Sequence, residues 1–242
     1  MDNVQNYVDL VKEPWGKMFY DLLFIQLDLP VSPRLKILDF GSGLGVTANY
    51  YAAWHDVTAI EPNKDMIDNR LTENPYNQIE GGVESLSAFD DGFFDLVLCH
   101  NVLEYTDEKE PIISEIMRVL KCGGLFSLVK HNRIGRVFHR AVFWNDPKKA
   151  LTQVDDSAID KNNYLGTQYI YSNIDAKNML TKHNGKINSI LGMRAFYALG
   201  QDNSVKYDDE WYKNMLELEA HVADIDEYKN AAFLQHLLIT KG

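Results

Sequence analysis

The chain has 242 residues, a 45% hydrophobic content and a formal net charge of -11. A chain of this size can bury a full core, so we expect one domain over residues 1–242. It has no apolar run of about 18 residues, as a membrane-spanning helix requires, and its two cysteines argue against a disulfide framework or a metal cluster. Because the first residues lack the profile of a secretion signal, we expect a cytoplasmic protein with no membrane partner.

Hydrophobic periodicity predicts helices that alternate with short strands along most of the chain. The predicted helices lie at residues 5–27, 44–54, 63–73, 108–120, 175–183 and 208–222, and the strands include residues 35–40, 57–60, 125–130, 187–199 and 233–240. Such alternation is typical of an α/β fold. The pattern fades over residues 132–168, which are too many for a simple connection, so residues 131–170 are predicted to form a lid or a substrate-binding insertion.

A glycine-rich turn follows the first predicted strand. Asp39 lies near the end of that strand, and Gly41, Gly43 and Gly45 come after it. Glycines let the main chain pass close to a ligand, at a point where a helix begins. A dinucleotide-binding turn would have a glycine where this chain has Val46, so a smaller ligand is favoured. Asp39 would repel a phosphate and attract a cation, although it could instead cap the following helix.

A second acid ends the next apolar run. Glu61 stands twenty positions after Gly41, about the interval expected for a carboxylate at the tip of the second strand. A carboxylate there can accept hydrogen bonds from both hydroxyls of a ribose. Together with Asp39, Glu61 predicts a ligand that combines a ribose with a cationic group.

Three further blocks follow in order, and with residues 37–61 they resemble the class I S-adenosylmethionine-dependent methyltransferases. The blocks are Gly81–Leu86, Phe93–Glu104 and Arg118–Leu128. The resemblance implies a doubly wound, Rossmann-like and mostly parallel sheet of seven strands with the last strand antiparallel and helices on both faces. It also implies S-adenosylmethionine as the cofactor.

The same resemblance implies roles for individual residues. Asp39 and the three glycines would hold the methionine moiety, Glu61 the ribose, and Met66 the adenine, with Val83 and Glu84 along the adenine edge. This family often has an acid where Gly82 stands, so the adenine contact would pass to Glu84 or to the backbone. The remaining residues assigned to the cofactor are Pro62, His100 and Lys17, the last beside the carboxylate of the methyl donor.

A narrower resemblance concerns the acceptor. The segments Asn132–Gly135, Gly192–Phe196 and Leu216–Glu219 are similar to the bacterial tRNA 5-carboxymethoxyuridine methyltransferases, which esterify a carboxylate on a wobble uridine. The likeness would place Asn132, Arg133, His139 and Arg194 near the substrate, with Arg194 as a fork for a carboxylate. Alternatively, Arg194 ties the sheet to a helix through Glu217 or Glu219. Residues 143–168 depart from that family's pattern.

Charge distribution favours a tRNA partner. Residues 118–149 contain eight basic residues against one acid, in a chain that is acidic overall. The alternative is a solvated lid whose charges maintain solubility. Because an ionised carboxylate needs no deprotonation, no catalytic base is assigned, and His100, His131 and His139 are candidates only for a hydroxyl acceptor. The other functions considered are methylation of oxygen or carbon in a small molecule, of the quinone or natural-product type, and non-catalytic binding of S-adenosylmethionine.

Overall fold

The computed structural model describes residues 3–155, 159–163 and 166–242. Its strands are β1 (Lys36–Phe40), β2 (Asp56–Glu61), β3 (Asn77–Glu80), β4 (Phe94–His100), β5 (Leu120–His131), β6 (Ile159–Asn163), β7 (Gly166–Tyr169), β8 (Gly185–Met193) and β9 (Leu234–Lys241). Its helices are α1 (Asn3–Lys12), α2 (Pro14–Leu27), α3 (Val46–Ala52), α4 (Lys64–Asp68), α5 (Lys109–Val119), α6 (Arg133–Val142), α7 (Pro147–Asp155), α8 (Asn173–Thr181), α9 (Asp209–Val222) and α10 (Asp226–Lys229). Three short 3₁₀ helices lie at Val83–Ala88, Leu103–Tyr105 and Ser204–Tyr207.

In the described part of the chain, seven strands form one mixed sheet in the order β3-β2-β1-β4-β5-β9-β8. The sheet is mostly parallel and its C-terminal strands are antiparallel, so the predicted sheet is confirmed. Strands β6 and β7 form a separate antiparallel pair. Parallel strands need crossover helices, and the alternating pattern of the sequence supplies them.

The contacts divide the chain into two compact units. The first unit contains Met1–Asp28, Val129–Ser172 and Ile190–His236, and the second contains Leu29–Leu128, Asn173–Ser189 and Leu237–Gly242. The core of the second unit includes Ile37, Leu38, Val97 and Leu98, all with no exposed surface. Continuous apolar strands of this kind are typical of parallel sheets that are covered on both faces.

The first unit has a core of its own, which includes Met18, Leu22, Leu23 and Tyr197, all fully buried. Within this unit, the Gln26 side chain donates a 2.9 Å hydrogen bond to the carbonyl oxygen of Gly192. The prediction of a single domain with an insertion at residues 131–170 stays a prediction.

Several predicted elements have different bounds in the structure, among them the helix predicted at residues 63–73, which is α4, and the strand predicted at residues 125–130, which is β5. The helix predicted at residues 5–27 is two helices, because Pro14 starts α2 at a position where its missing N–H costs nothing. The strand predicted at residues 187–199 ends at Met193, since Arg194 has a φ of 62°. The segment without clear periodicity contains α6, α7, β6 and β7, while residues 156–158 and 164–165 of that prediction lie outside the described residues.

Among the described residues, no helix is both long and apolar enough to cross a membrane.

At Gly135, helix α6 packs closely against the backbone of Ala232 and Phe233, just before β9. A Cβ atom added there would contact the Ala232 carbonyl oxygen and would lie 2.7 Å from the Phe233 Cα atom. Neither backbone atom can move without displacing the chain. We therefore expect Gly135→Ala to lower the free energy of unfolding by about 1–3 kcal/mol, as overpacking usually does, despite the better helix propensity of alanine. Urea denaturation measures this change.

Gly200→Ala is the matched control. Its added Cβ would have Lys206 Cε as a neighbour at 3.9 Å, an ordinary van der Waals distance. We expect a change within about 0.5 kcal/mol, as at unconstrained surface positions. Equal stabilities of the two variants would contradict the close packing of α6.

Candidate cofactor and acceptor sites

The ends of β1 and β2 bring two carboxylates to one edge of the sheet. In the parallel register, Asp39 pairs with Ala59 on β2 and with Leu98 on β4, and Glu61 is the last residue of β2. Both carboxylates are buried, with exposed fractions of 3% for Asp39 and 8% for Glu61. The prediction that two acids meet at the carboxyl edge of neighbouring strands therefore agrees with the described geometry.

The loop after β1 has all three glycines in the left-handed region, with φ values of 75° at Gly41, 53° at Gly43 and 67° at Gly45. A Cβ at Gly41 would contact the Val102 side chain, and one at Gly45 would contact the Tyr76 hydroxyl. At these two positions the conformation and the neighbouring side chains both require glycine. The sequence argument considered only the approach of a ligand and missed this packing.

Glu61 ties the loop to the second strand. Its Oε2 atom accepts a 2.8 Å hydrogen bond from the Gly43 amide, and its Oε1 atom accepts a 2.9 Å bond from the Asn63 amide. Burial raises the pKa of Glu61, and the two amide hydrogen bonds oppose that rise. Each carboxylate oxygen has two lone pairs, so each can still accept a hydrogen bond from a ribose hydroxyl.

Asp39 has an unused hydrogen-bonding atom. Its Oδ2 is buried and has no hydrogen-bond partner among the described residues. Burial raises the pKa of Asp39 to about 7, with a smaller contribution from the neighbouring Glu61 charge. Such a carboxyl group is ready to receive a cation or a donor, because an unsatisfied buried acceptor is costly. This orphaned oxygen fits a ligand that carries an ammonium or a sulfonium group.

The residues predicted to contact adenine lie in the same unit. Met66 is buried in α4, whose first turn is capped by the Asn63 side chain, and Pro62 is exposed just before it. Val83 begins a 3₁₀ helix, and the exposed Glu84 carboxylate accepts a 2.6 Å hydrogen bond from the Gly82 amide. That bond lowers the pKa of Glu84. Their contacts with adenine stay predictions.

Two other cofactor predictions also stay open. His100 at the end of β4 shares a 2.8 Å hydrogen bond with the Ser127 hydroxyl. Lys17 belongs to the first unit, where it forms a 2.8 Å ion pair with Asp21 and lies 3.8 Å from the centre of the Tyr212 ring. The structure thus gives Lys17 partners within its own unit.

A sharp turn in the first unit presents Arg194. Immediately after it, the amides of Ala195, Phe196 and Tyr197 all donate to the Glu219 carboxylate, at 2.7, 2.8 and 2.7 Å. Glu219 is 1% exposed, and burial raises its pKa against the effect of these three bonds. The predicted alternative was a link between the Arg194 side chain and Glu219. In the structure, backbone amides make that link, so the Arg194 guanidinium is available to bind a ligand.

The Arg194 side chain lies among aromatic rings. Its guanidinium carbon is 4.7 Å from the centre of the Trp15 ring, 5.2 Å from that of Phe233 and 5.8 Å from that of Tyr197. The Nε atom is buried and has no hydrogen-bond partner among the described residues. Burial lowers the pKa of Arg194 to about 10, so the side chain is still cationic at neutral pH. An arginine with unused donors suits a carboxylate or a phosphate.

Two further groups complete what we call the Arg194 cluster. His139 stacks on Phe143 with a centroid distance of 4.8 Å, and burial beside Arg194 lowers its pKa to about 3, which keeps the imidazole neutral. The buried ammonium of Lys206 lies 3.8 Å from the centre of the Trp15 ring. The cluster consists of Arg194, Lys206, His139, Tyr197, Trp15, Phe143 and Phe233.

The other predicted acceptor residues lie at the start of α6. The Asn132 side chain accepts from the Ile134 amide and donates to the carbonyl oxygens of Asn230 and Ala232, at 2.9 and 2.8 Å. These bonds make Asn132 a clamp between α6 and the chain before β9. Arg133 is exposed. Contact of either residue with the acceptor stays a prediction.

Several basic residues of the segment 118–149 have partners within the protein, whereas others are exposed. Arg118 pairs with Asp91 and Glu115, Lys121 pairs with Asp95, and Arg136 donates a 2.7 Å bond to the Gln168 side chain. The buried Lys130 donates to the His131 carbonyl oxygen. The counted charge therefore overstates the basic surface, whose exposed or half-exposed members in the α6–α7 region are Arg133, Arg136, Arg140, Lys148 and Lys149.

Sequence reasoning missed Trp15, Tyr197 and Lys206 as members of this arrangement, and it named Glu219 only as a possible partner of the Arg194 side chain. Trp15 and Lys206 are far apart in the chain and neither lies in a motif. The available signal was Leu216–Glu219, which was read as a family segment, whereas Glu219 in fact organises the turn after Arg194.

Comparison with known proteins identifies residues 38–128, which match the family model described as a methyltransferase domain. A thiol S-methyltransferase of Homo sapiens is 33% identical over 107 residues, covering 41% of this chain and 44% of the relative. The chain thus matches less than half the length of that relative. A ubiquinone biosynthesis O-methyltransferase of Rickettsia bellii is 26% identical over 182 residues. The match covers 73% of this chain and 71% of the relative.

A third relative concerns the predicted acceptor. The tRNA 5-carboxymethoxyuridine methyltransferase of Escherichia coli is 28% identical over 120 residues, covering 46% of each chain. This match does not show that the chain belongs to that narrower family.

Solved structures agree on the fold. An S-adenosylmethionine-dependent methyltransferase from Thermotoga maritima has a TM-score of 0.65 at 14% identity, covering 99% of this chain and 96% of that one. Another from Mesorhizobium loti has a TM-score of 0.56 at 14% identity and covers 94% of this chain and 97% of that one. Residues 38–128 therefore match a methyltransferase domain, and the chain shares its fold with these two S-adenosylmethionine-dependent methyltransferases.

Proposed function

We propose that this protein is a methyltransferase that acts on a carboxylate of a modified tRNA wobble uridine. The observation that carries the acceptor class is the Arg194 guanidinium, which is walled by aromatic rings and keeps a buried donor without a partner among the described residues. A planar base bearing a carboxylate matches both features, because aromatic rings stack on bases and arginine binds carboxylates through paired donors. The match to the Escherichia coli relative supports the same acceptor.

The residues of the chain have simple tasks in this reaction. S-adenosylmethionine supplies the methyl group when it is bound. Asp39 and Glu61 hold its charged and ribose parts, and Arg194 orients the acceptor carboxylate. A carboxylate is ionised at neutral pH and is already a nucleophile, so no general base is required. The neutral His139 can donate or accept a hydrogen bond without adding charge.

The acceptor's polymer would contact the exposed face of α6 and α7. This face combines Arg133, Arg140, Lys148 and Lys149 with the large exposed side chains of Phe138 and Trp144. Cations bind phosphates and aromatic rings stack on unpaired bases, which is the usual way proteins hold single-stranded loops of RNA. This surface is the tRNA part of the proposal.

Asp39→Asn tests the cofactor part through pH. The raised pKa means that Asp39 ionises only above about pH 7 in the free protein. A cationic ligand prefers the ionised form, so wild-type affinity for S-adenosylmethionine should rise by about fivefold to tenfold from pH 6 to pH 8. We expect weaker binding and no such rise in Asp39→Asn, measured by calorimetry. Equal pH profiles of the two proteins would contradict the role of Asp39.

The same substitution has a ligand-free readout. The pKa of Asp39 is raised from 3.8 in the unfolded chain to about 7 in the folded one. Ionisation therefore disfavours the folded state, and the resulting loss of stability grows between those two pH values and is constant above them. Asp39→Asn, which cannot ionise, should gain stability relative to wild type across this window.

Arg194→Gln tests the acceptor class. Loss of a charged hydrogen-bonding group should lower kcat/KM for the carboxylate acceptor by about 10- to 100-fold, while affinity for S-adenosylmethionine stays unchanged. The assay combines labelled methyl donor, separate RNA and metabolite fractions, and mass spectrometry of the labelled product. Lys182→Gln is a control. That exposed lysine lies in the second unit, where it pairs with Glu110, and Arg194 lies in the first unit. Undiminished turnover in Arg194→Gln would remove the carboxylate proposal.

Arg133→Gln with Arg140→Gln tests the tRNA surface. Each phosphate contact adds about 0.7–0.9 to the slope of log affinity against log salt. We expect the double variant to bind tRNA more weakly and with a slope smaller by about 1.5. The control is the double variant Arg34→Gln with Lys182→Gln, which removes the same number of positive charges. Arg34 pairs with Asp56 and Lys182 pairs with Glu110, so this variant should keep the wild-type slope.

The alternatives give distinct results in these assays. Salt-insensitive methylation of a metabolite would point to a small-molecule acceptor, in keeping with the match to the ubiquinone biosynthesis O-methyltransferase of Rickettsia bellii. Saturable binding of S-adenosylmethionine without S-adenosylhomocysteine production from any fraction would point to a non-catalytic protein.

A further inference from the structure

Lys206 is a cation held inside the Arg194 cluster. It belongs to a 3₁₀ helix at Ser204–Tyr207 and is 2% exposed. Its Nζ atom donates to the Gly200 carbonyl oxygen at 3.1 Å and to the Asn203 Oδ1 atom at 2.8 Å. Both acceptors are neutral, so one N–H of the ammonium is left for another partner.

Lys206 and Arg194 share the same aromatic walls. The Lys206 ammonium lies 3.8 Å from the centre of the Trp15 ring and 4.7 Å from that of Tyr197, and the Arg194 guanidinium contacts the same two rings. The Tyr197 hydroxyl is buried and has no hydrogen-bond partner among the described residues. Two cations and a hydroxyl donor therefore border one aromatic space.

The charges of Glu219 and Asp202 act on Arg194 and Lys206 only at a distance, and no described carboxylate pairs directly with either cation. Glu219 gives its oxygens to three backbone amides, and the exposed Asp202 accepts hydrogen bonds from Ser204. Among the described residues, neither Lys206 nor Arg194 forms an ion pair with an acid. Their proximity and burial lower the pKa of Lys206 to about 8. Buried cations that repel each other are costly, and an anion placed between them would remove that cost.

We propose that Lys206 is a second anion-binding residue beside Arg194, and that the two cations make the acceptor site select an ionised carboxylate over its methyl ester. This inference rests on the proposed function, because it assigns the Arg194 cluster to the acceptor. The neutral His139 contributes no charge to this selection.

The selection has a consequence for turnover. Methylation forms a bond between a carboxylate oxygen and the methyl carbon, and the electron pair of the broken carbon–sulfur bond stays on sulfur. The acceptor group therefore changes from an anion to a neutral ester. Lys206 and Arg194 then lose their counter-charge, so the product is held less tightly than the substrate. The same two cations would promote both acceptor binding and product release.

Binding of phenoxyacetate and of methyl phenoxyacetate tests this inference. Both probes have an aromatic ring and an oxyacetyl group, and they differ in charge. Calorimetry at pH 7 with the full chain should give at least tenfold tighter binding of the acid to wild type. Lys206→Met should reduce this preference at least threefold, and Lys206→Arg should restore it. Lys213→Met, at an exposed position of α9, should keep the wild-type preference.

Each other outcome overturns the inference. Equal affinities of the acid and the ester for wild type, binding of neither probe, or an unchanged preference in Lys206→Met would do so. Affinity for S-adenosylmethionine and the circular dichroism spectrum establish that the variants are folded. If the preference depends on Lys206 but no fraction is methylated, the proposed function fails while the anion site stands.

Discussion

The hydrogen bond from the Gly43 amide to Glu61 joins the two strand ends on which the candidate cofactor site depends. Parallel pairing of β1 with β2 brings Asp39 and Glu61 to the same edge, but register alone does not shape the loop between them. The Glu61 carboxylate does so, since it accepts the amides of Gly43 and Asn63 at once. One side chain thus orients the glycine loop, starts the segment leading into α4 and presents its own free lone pairs.

A second buried carboxylate has a similar task in the other unit. Glu219 collects three consecutive amides after β8 and holds the chain in a turn that begins with the left-handed residue Arg194. Left-handed backbone is unfavourable for arginine, so the hydrogen bonds of Glu219 offset a local strain. In both units an acid that sequence reasoning associates with ligands or helix faces acts on backbone amides.

Short-range patterns in the sequence predicted the alternation of helices and strands and the two acids at one edge of the sheet, whereas the seven-stranded sheet was implied by the family resemblance. Apolar runs, the glycine turn and the interval to Glu61 are all local in the chain. The Arg194 cluster was predicted only in part. Arg194 and His139 came from short resemblances, whereas Trp15 and Lys206 join the cluster through tertiary packing between distant segments.

Pattern reasoning also failed where one residue overrides a propensity. The apolar run from residue 187 continues past Met193, yet the strand stops there because Glu219 takes the next amides. Helix α6 was not predicted, although its apolar residues Ile134, Phe138 and Val142 recur at helical spacing.

The contact with Tyr76 is one of two constraints that exclude a side chain at Gly45. Tyr76 is anchored by a 2.8 Å hydrogen bond from its hydroxyl to the Leu71 carbonyl oxygen, and the same hydroxyl occupies the space beside Gly45. If Tyr76 were replaced by phenylalanine, the φ of 67° at Gly45 would still disfavour any other residue. Position 45 is therefore subject to two independent constraints. A substitution that removes the Tyr76 hydroxyl leaves the constraint from the left-handed backbone unchanged.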